Sequence, residues 1–212
     1  MSAVIVPMAG TPALGALRRG PLAAAGGALV VADLPDRTTV DRMAAEAFRL
    51  APGAGRQTSV NVIGDDGRGA TPSRELANGP GGPEQDAFYH LSPLHDWLVL
   101  RTGVRVRPTS DRATYTNYTR PGDYLDLHVD IVACDVTLIT VLHDDTPVGD
   151  VGGGLALYDA HADVPLSVIH AERPAPTALI VAPAGQSIVL LGGLVPHRVL
   201  PVTGGSRVIS AL

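Results

Sequence analysis

Apolar residues recur at two different spacings along this chain, and the change falls near residue 103. Before it, Val40, Met43, Ala44, Ala47 and Phe48 mark one face of a helix over residues 39–50. Phe88, Leu91, Leu94, Trp97 and Leu98 mark a second helix over 84–102, and a short strand at 28–31 precedes both. After Gly103, runs rich in Val, Thr, Ile, Leu and Tyr alternate with Gly, Pro and Asp turns at 104–107, 112–118, 124–130, 136–142, 154–158, 166–170, 178–182, 187–191, 197–202 and 207–211. Ten short strands after two helices, without βαβ alternation, predict a mainly β fold with flanking α-helices, a sandwich or barrel of jelly-roll type. One domain is expected, with residues 1–103 as a helical and loop support region and 104–212 as the β core.

Between the two blocks, residues 64–83 carry six glycines together with Pro72, Pro80 and Pro83, a stretch expected to form a loop rather than a regular element. Because the last predicted strand runs to the final residues, this loop is the expected cover for the open end of the barrel, with Arg68, Arg74 and Glu75 as its polar contacts.

Composition narrows the function. The 212 residues include 16 arginines, no lysine and 21 acids, for a net charge of −5 and no basic block, which argues against a nucleic-acid partner. Cys134 is the single cysteine, so a disulfide framework is excluded and a cytoplasmic setting is the simplest expectation. No apolar run approaches the length of a membrane span. Arg18-Arg19 and the mild stretch after it faintly imitate an export signal, but glycines and Pro21 dilute that stretch and Leu29–Val31 reads better as a strand. The sequence sets no oligomeric state.

Four His-x-acid pairs occur: His128/Asp130, His143/Asp145, His161/Asp163 and His170/Glu172. Context separates them. Residues i and i+2 of a strand share a face, so His128 and Asp130, closing the run that starts at Asp123, can grip one ion together. The other three pairs fall in what reads as solvated turns or connections. A third ligand must come from a distant strand, and His197, after an apolar strand and the pair Gly192-Gly193, meets that need. Arg207 opens the strand after the turn 203–206, and a hairpin is expected to set its cationic fork beside the metal position, where it suits a ligand carboxylate. Two histidines and one carboxylate on one face of an ion leave positions open, the donor set of non-haem Fe(II) oxygen chemistry.

The ordered set Tyr118-x-x-Pro121-Gly122-x-Tyr124-x-x-x-His128-x-Asp130, Gly153-Gly154-x-x-Leu157, Gly185, His197-Arg198-Val199 and Gly205-x-Arg207 resembles the Fe(II)/2-oxoglutarate-dependent oxygenases, the prolyl-4-hydroxylase-like branch above all. The resemblance covers about residues 110–212 and, loosely, the strand and helix near 28–50. It implies a double-stranded β-helix, or cupin-like jelly roll, with iron on His128, Asp130 and His197, 2-oxoglutarate on Arg207 and Tyr118, and O2 as oxidant. Retention of Asp130, which halogenating relatives replace with a small residue, implies hydroxylation. The Gly153-Gly154 segment lacks the acidic residue that often follows in the family. The expected substrate is a small molecule such as an amino acid or natural-product intermediate, with Arg112, Tyr115, Asn117, Arg120 and Asp126 as candidate contacts. The alternatives are a cupin-type metal isomerase or dioxygenase without 2-oxoglutarate, although the His-x-His plus Glu set of cupins is absent, and a non-enzymatic β-sandwich binding module.

Overall fold

A computed structural model describes residues 15–60, 71–109 and 113–212, and the backbone of 5–7. In chain order, the elements are β1 (Ile5–Pro7), α1 (Pro21–Ala24), β2 (Ala28–Val31), α2 (Arg37–Leu50), β3 (Gly55–Ser59), β4 (Arg74–Pro80), α3 (Pro83–Tyr89), α4 (Ser92–Thr102), β5 (Val106–Pro108), β6 (Thr114–Tyr118), β7 (Tyr124–His128), β8 (Thr137–Asp144), β9 (Leu155–Leu157), α5 (Leu166–Glu172), β10 (Ala178–Ile180), β11 (Ser187–Leu190), β12 (His197–Val199) and β13 (Arg207–Ala211). Apart from a small β1–β5 pair, the described strands form one antiparallel sheet in the order β10-β9-β12-β7-β4-β6-β13-β8-β11-β2, with β3 paired to β4. The sheet curls into a nearly closed jelly-roll barrel.

The sheet divides into two halves. The half β6-β13-β8-β11-β2 carries the helices on its outer face: α2 packs on β8 and β13, and α3 packs on α2. Asp36 starts α2 by accepting the Thr39 amide at 2.9 Å, and Val40, Met43 and Ala47 turn inward from it. β11 is buried at all four positions, which is why its sequence, Ser-Ile-Val-Leu, shows no polar alternation. In the other half, β7, β12, β9 and β10, Leu127, Ala156 and Tyr158 make a second apolar cluster with Leu166 and Ile169 of α5. β4 joins the halves, pairing with β6 through Ala77 to Pro80 and with β7 through Arg74 and Glu75.

Three elements depart from the expected pattern. The glycine-rich stretch at 64–83 contains a full strand, β4, and the start of α3, and residues 61–70, with Arg68, lie outside the described residues. Gly79 and Pro80 are tolerated because they fall at the end of β4, where Gly79 packs against Ala54. The expected strand at 166–170 is α5, since Leu166 and Ile169, three apart, are the residues buried against β7. The second helix is two helices: the chain breaks at His90-Leu91, and Pro93 takes a first-turn position of α4 where no amide is needed. Residues 28–80 also give β2, β3 and β4 to the main sheet, so the first half of the chain supplies sheet as well as support.

Candidate metal centre

His128 closes β7 and His197 opens β12, and the two are directly opposed across the sheet. A one-residue bulge creates this pairing. Val199 faces Leu125, so an unbroken ladder would set Leu127 opposite His197; the extra residue in β7 brings His128 there instead. The two rings lie 4.2 Å apart between centroids. Each Nδ1 is 2.8 Å from the carbonyl oxygen two residues earlier, Asp126 for His128 and Val195 for His197. With Nδ1–H donating to those carbonyls, each ring turns the lone pair of Nε2 into the barrel.

Both Nε2 atoms point at Asp130, whose Oδ1 lies 3.6 Å from that of His128 and 3.7 Å from that of His197. Asp130 is not in the strand as its i+2 spacing suggests. β7 ends at His128, and a loop carries Asp130, anchored by its amide on the Gly192 carbonyl at 2.8 Å and by the Thr137 hydroxyl donating to Oδ2. Gly192 is required there, because a Cβ would fall 1.8 Å from Asp130 Oδ2. Burial alone would raise the Asp130 carboxyl, but the adjoining His128 and His197 rings and the Thr137 hydroxyl outweigh it and hold the group at about 2. Burial, aided by the His128 charge, lowers His197 to about 4, which keeps it neutral, the form that binds metal. Two imidazole nitrogens and a carboxylate oxygen, all within 4.8 Å of one another, fit a divalent transition metal, and this is the one such group among the described residues.

Arg207 reaches the same interior by a different route from the one expected. β12 and β13 do not form a hairpin: β12 pairs with β7 and β9, β13 with β6 and β8. Arg207 faces Tyr118 on one side and Asp144 on the other. Following cross-strand partners from β12 through β7, β4 and β6 to β13 places His197, His128, Leu125, Arg74, Tyr118 and Arg207 on one inner face. The Arg207 guanidinium bonds the Asp144 carboxylate through Nη1 and the Ala182 carbonyl through Nη2, the latter at 2.9 Å. Asp144, read from the sequence as part of a solvated turn, is the last residue of β8. Gly153, with φ +74°, lets the Arg207 stem lie against the backbone, since a Cβ there would sit 2.9 Å from Arg207 Cδ. Burial pushes the Tyr118 phenol up, so it stays a neutral donor beside Arg207.

Of the candidate substrate contacts among the described residues, none has its side chain bonded to the triad, and Asp126 meets it through its backbone carbonyl alone. Tyr115 lies on the opposite, helix-bearing face, where its hydroxyl donates to Glu46 at 2.7 Å, and Asn117 shares that face. Arg120 is exposed in the turn after β6. Asp126 lies at the bulge and lines a separate outer cavity of about 320 Å³ with His170 and Arg198. Arg112 lies outside the described residues. Of the other His-x-acid pairs, His143 is in β8 with its ring edge on Phe48, His161 ends a short 3-10 turn, and His170 is in α5. Thr137 and Gly192 were missed as site residues; the pair Gly192-Gly193 after a buried strand was the available signal, whereas Thr137 gave none.

A cavity of about 590 Å³ opens on His128 and Asp130 and is walled by β3 and β4. No protein-family model and no curated protein matches the sequence. Solved structures do. A 2OG-Fe(II) oxygenase family oxidoreductase from Burkholderia pseudomallei is 12% identical, with a TM-score of 0.64 over 97% of this chain and 91% of that one. A Pseudomonas putida prolyl-4-hydroxylase is 17% identical, with a TM-score of 0.57 over 94% and 96%. SnoN, a non-haem α-ketoglutarate-dependent epimerase from nogalamycin biosynthesis, is 15% identical, with a TM-score of 0.63 over 93% and 80%. At such identities the likeness is one of architecture: the chain is built on the jelly-roll scaffold of the 2OG-Fe(II) oxygenases.

Proposed function

We propose that this protein is a non-haem Fe(II)- and 2-oxoglutarate-dependent dioxygenase that hydroxylates an unactivated C–H bond of a small molecule. The observation that carries the proposal is the convergence of His128, Asp130 and His197, the first two lining an open cavity, with each ligand atom turned inward by a bond to the protein's own backbone or a hydroxyl. The scaffold shared with structures of that chemistry supports it. SnoN and SnoK, both from nogalamycin biosynthesis, favour a small-molecule substrate, although other neighbours are prolyl hydroxylases.

In this reading, His128, Asp130 and His197 hold Fe(II). When bound, the iron with a chelated 2-oxo acid supplies O2-dependent C–H oxidation, the 2-oxo acid leaving as succinate and CO2. Arg207 and Tyr118 hold the far carboxylate of 2-oxoglutarate, and Asp144 fixes the guanidinium plane in advance. The Asp130 carboxylate occupies the place that a halide would need, which favours hydroxylation. A cytoplasmic setting fits the lone, buried Cys134, and among the described residues no helix is long and apolar enough to cross a membrane.

The test is an anaerobic titration with Fe(II) and 2-oxoglutarate, followed by a metabolite screen that reads succinate. About one Fe(II) per chain and a visible charge-transfer band are expected, both lost in His128→Ala and His197→Ala. Arg207→Ala should weaken 2-oxoglutarate by roughly tenfold or more. Iron uptake that survives both histidine substitutions would overturn the assignment.

A further inference from the structure

Two arginines, Arg56 and Arg74, line the cavity above the triad, and their surroundings differ. Arg56 is fully engaged: Nη1 and Nη2 grip the buried Asp123 carboxylate at 2.8 and 2.6 Å, and Nη2 also reaches Glu75 at 3.3 Å. Arg74 is half-buried on the inner face of β4. Its Nε donates to the Pro72 carbonyl at 3.3 Å and its Nη1 to Gln57 Oε1 at 3.2 Å, both long and both to neutral oxygens. Among the described residues no carboxylate pairs with it. Within the same cavity, the one carboxylate is Asp130, committed to the triad, and Leu125, Val129 and Ile131 supply apolar wall.

A half-buried guanidinium with two weak neutral partners is costly unless something else completes it. Among the described residues its Nη2 donors have no acceptor, and with Nη1 they present a flat two-pronged edge that matches a carboxylate. Arg207 is different, because Asp144 already balances its charge on the protein side. Among the described residues the cavity therefore holds one uncompensated cation, beside apolar lining, in a volume suited to a small ligand.

We infer that Arg74 anchors a carboxylate of the primary substrate, which is an acid with an apolar body; this deepens the oxygenase reading and rests on it for the identification of the cavity as a substrate site. The acid group is held at β4, and the apolar portion lies along Leu125, Val129 and Ile131 toward the metal ligands. Arg74 is thus a specificity-determining residue, distinct from the co-substrate anchor Arg207.

The experiment compares 3-phenylpropionate with its neutral isostere 3-phenylpropanamide as probes, by saturation-transfer NMR titration at millimolar concentrations. Protein loaded with Zn(II) and 2-oxoglutarate, which cannot turn over, is used beside metal-free protein. The acid is expected to bind at least about tenfold more tightly than the amide. Arg74→Met should erase that preference by weakening the acid alone, and Arg74→Lys should restore some of it. Equal binding of acid and amide, or no binding of either, would overturn the inference. So would an Arg74→Met variant that loses 2-oxoglutarate affinity as strongly as acid affinity, since Arg74 would then belong to the co-substrate. Failure of the oxygenase reading is separately visible, as a chain that takes up neither metal nor 2-oxoglutarate while the metal-free protein still prefers the acid.

Discussion

Glu46 and Asp130 are both carboxylates withdrawn from solvent, with side chains 2% and 11% exposed, and the groups around them differ in kind. Glu46, on α2, accepts the amides of Glu84 and Gln85 at the start of α3 and the Tyr115 hydroxyl, all donors with no other function. Gly82 leaves the space for this, since a Cβ there would meet Glu46 Oε1 at 2.5 Å. Asp130 has one oxygen held by Thr137, while the other faces two imidazole nitrogens at distances too long for hydrogen bonds. One carboxylate is saturated and ties a helix to the sheet. The other gathers acceptors around a gap, an arrangement that only a cation completes. Burial of charge does not by itself mark a functional site; convergence of lone pairs does.

Three experiments press on that contrast. The largest effect is expected from Asp130→Ala, which should cut Fe(II) affinity by more than about a hundredfold while leaving the metal-free melting temperature no lower. A marked loss of stability would make Asp130 structural and erase the distinction. Glu46→Ala should do the reverse: about 3 kcal/mol less stable in urea unfolding, because two amides and a hydroxyl lose their acceptor, with Fe(II) affinity per folded molecule unchanged. The smallest effect concerns pH. His197 titrates near 4 when folded and near 6.5 when free, so between those values the unfolded chain binds the extra proton. Stability of the metal-free protein should therefore decline as pH falls through that interval, and His197→Leu should flatten the decline when urea midpoints are followed against pH.

Much of this was legible in the residues. β2 and β13 lie where alternation and apolar runs put them, and α2 begins within two residues of its expected start. The grouping of His128, Asp130 and His197 was legible as well, because His-x-Asp followed by a distant His has few uses. What the residues could not convey was long-range pairing. β4 escaped notice because Asn78, Gly79 and Pro80 have poor strand propensity, and only pairing to β3, β6 and β7 overrides it. Arg207 was expected through a local hairpin and arrives instead from across the sheet, on a strand whose partners at that position, Asp144 and Tyr118, are both remote in sequence. The break between α3 and α4 was visible in Ser92-Pro93 and outweighed by the apolar spacing around it.

The bulge in β7 makes the candidate metal site depend on chain length as well as on residue type. Removing one codon from the pair Asp126-Leu127 keeps every ligand and would straighten the ladder with His128 still opposite His197, yet it would hand the Nδ1 anchor of His128 from the Asp126 carbonyl to that of Leu125. Substitution can retune this site by degrees, whereas a deletion between Leu125 and His128 changes in a single event the carbonyl that orients the His128 ring.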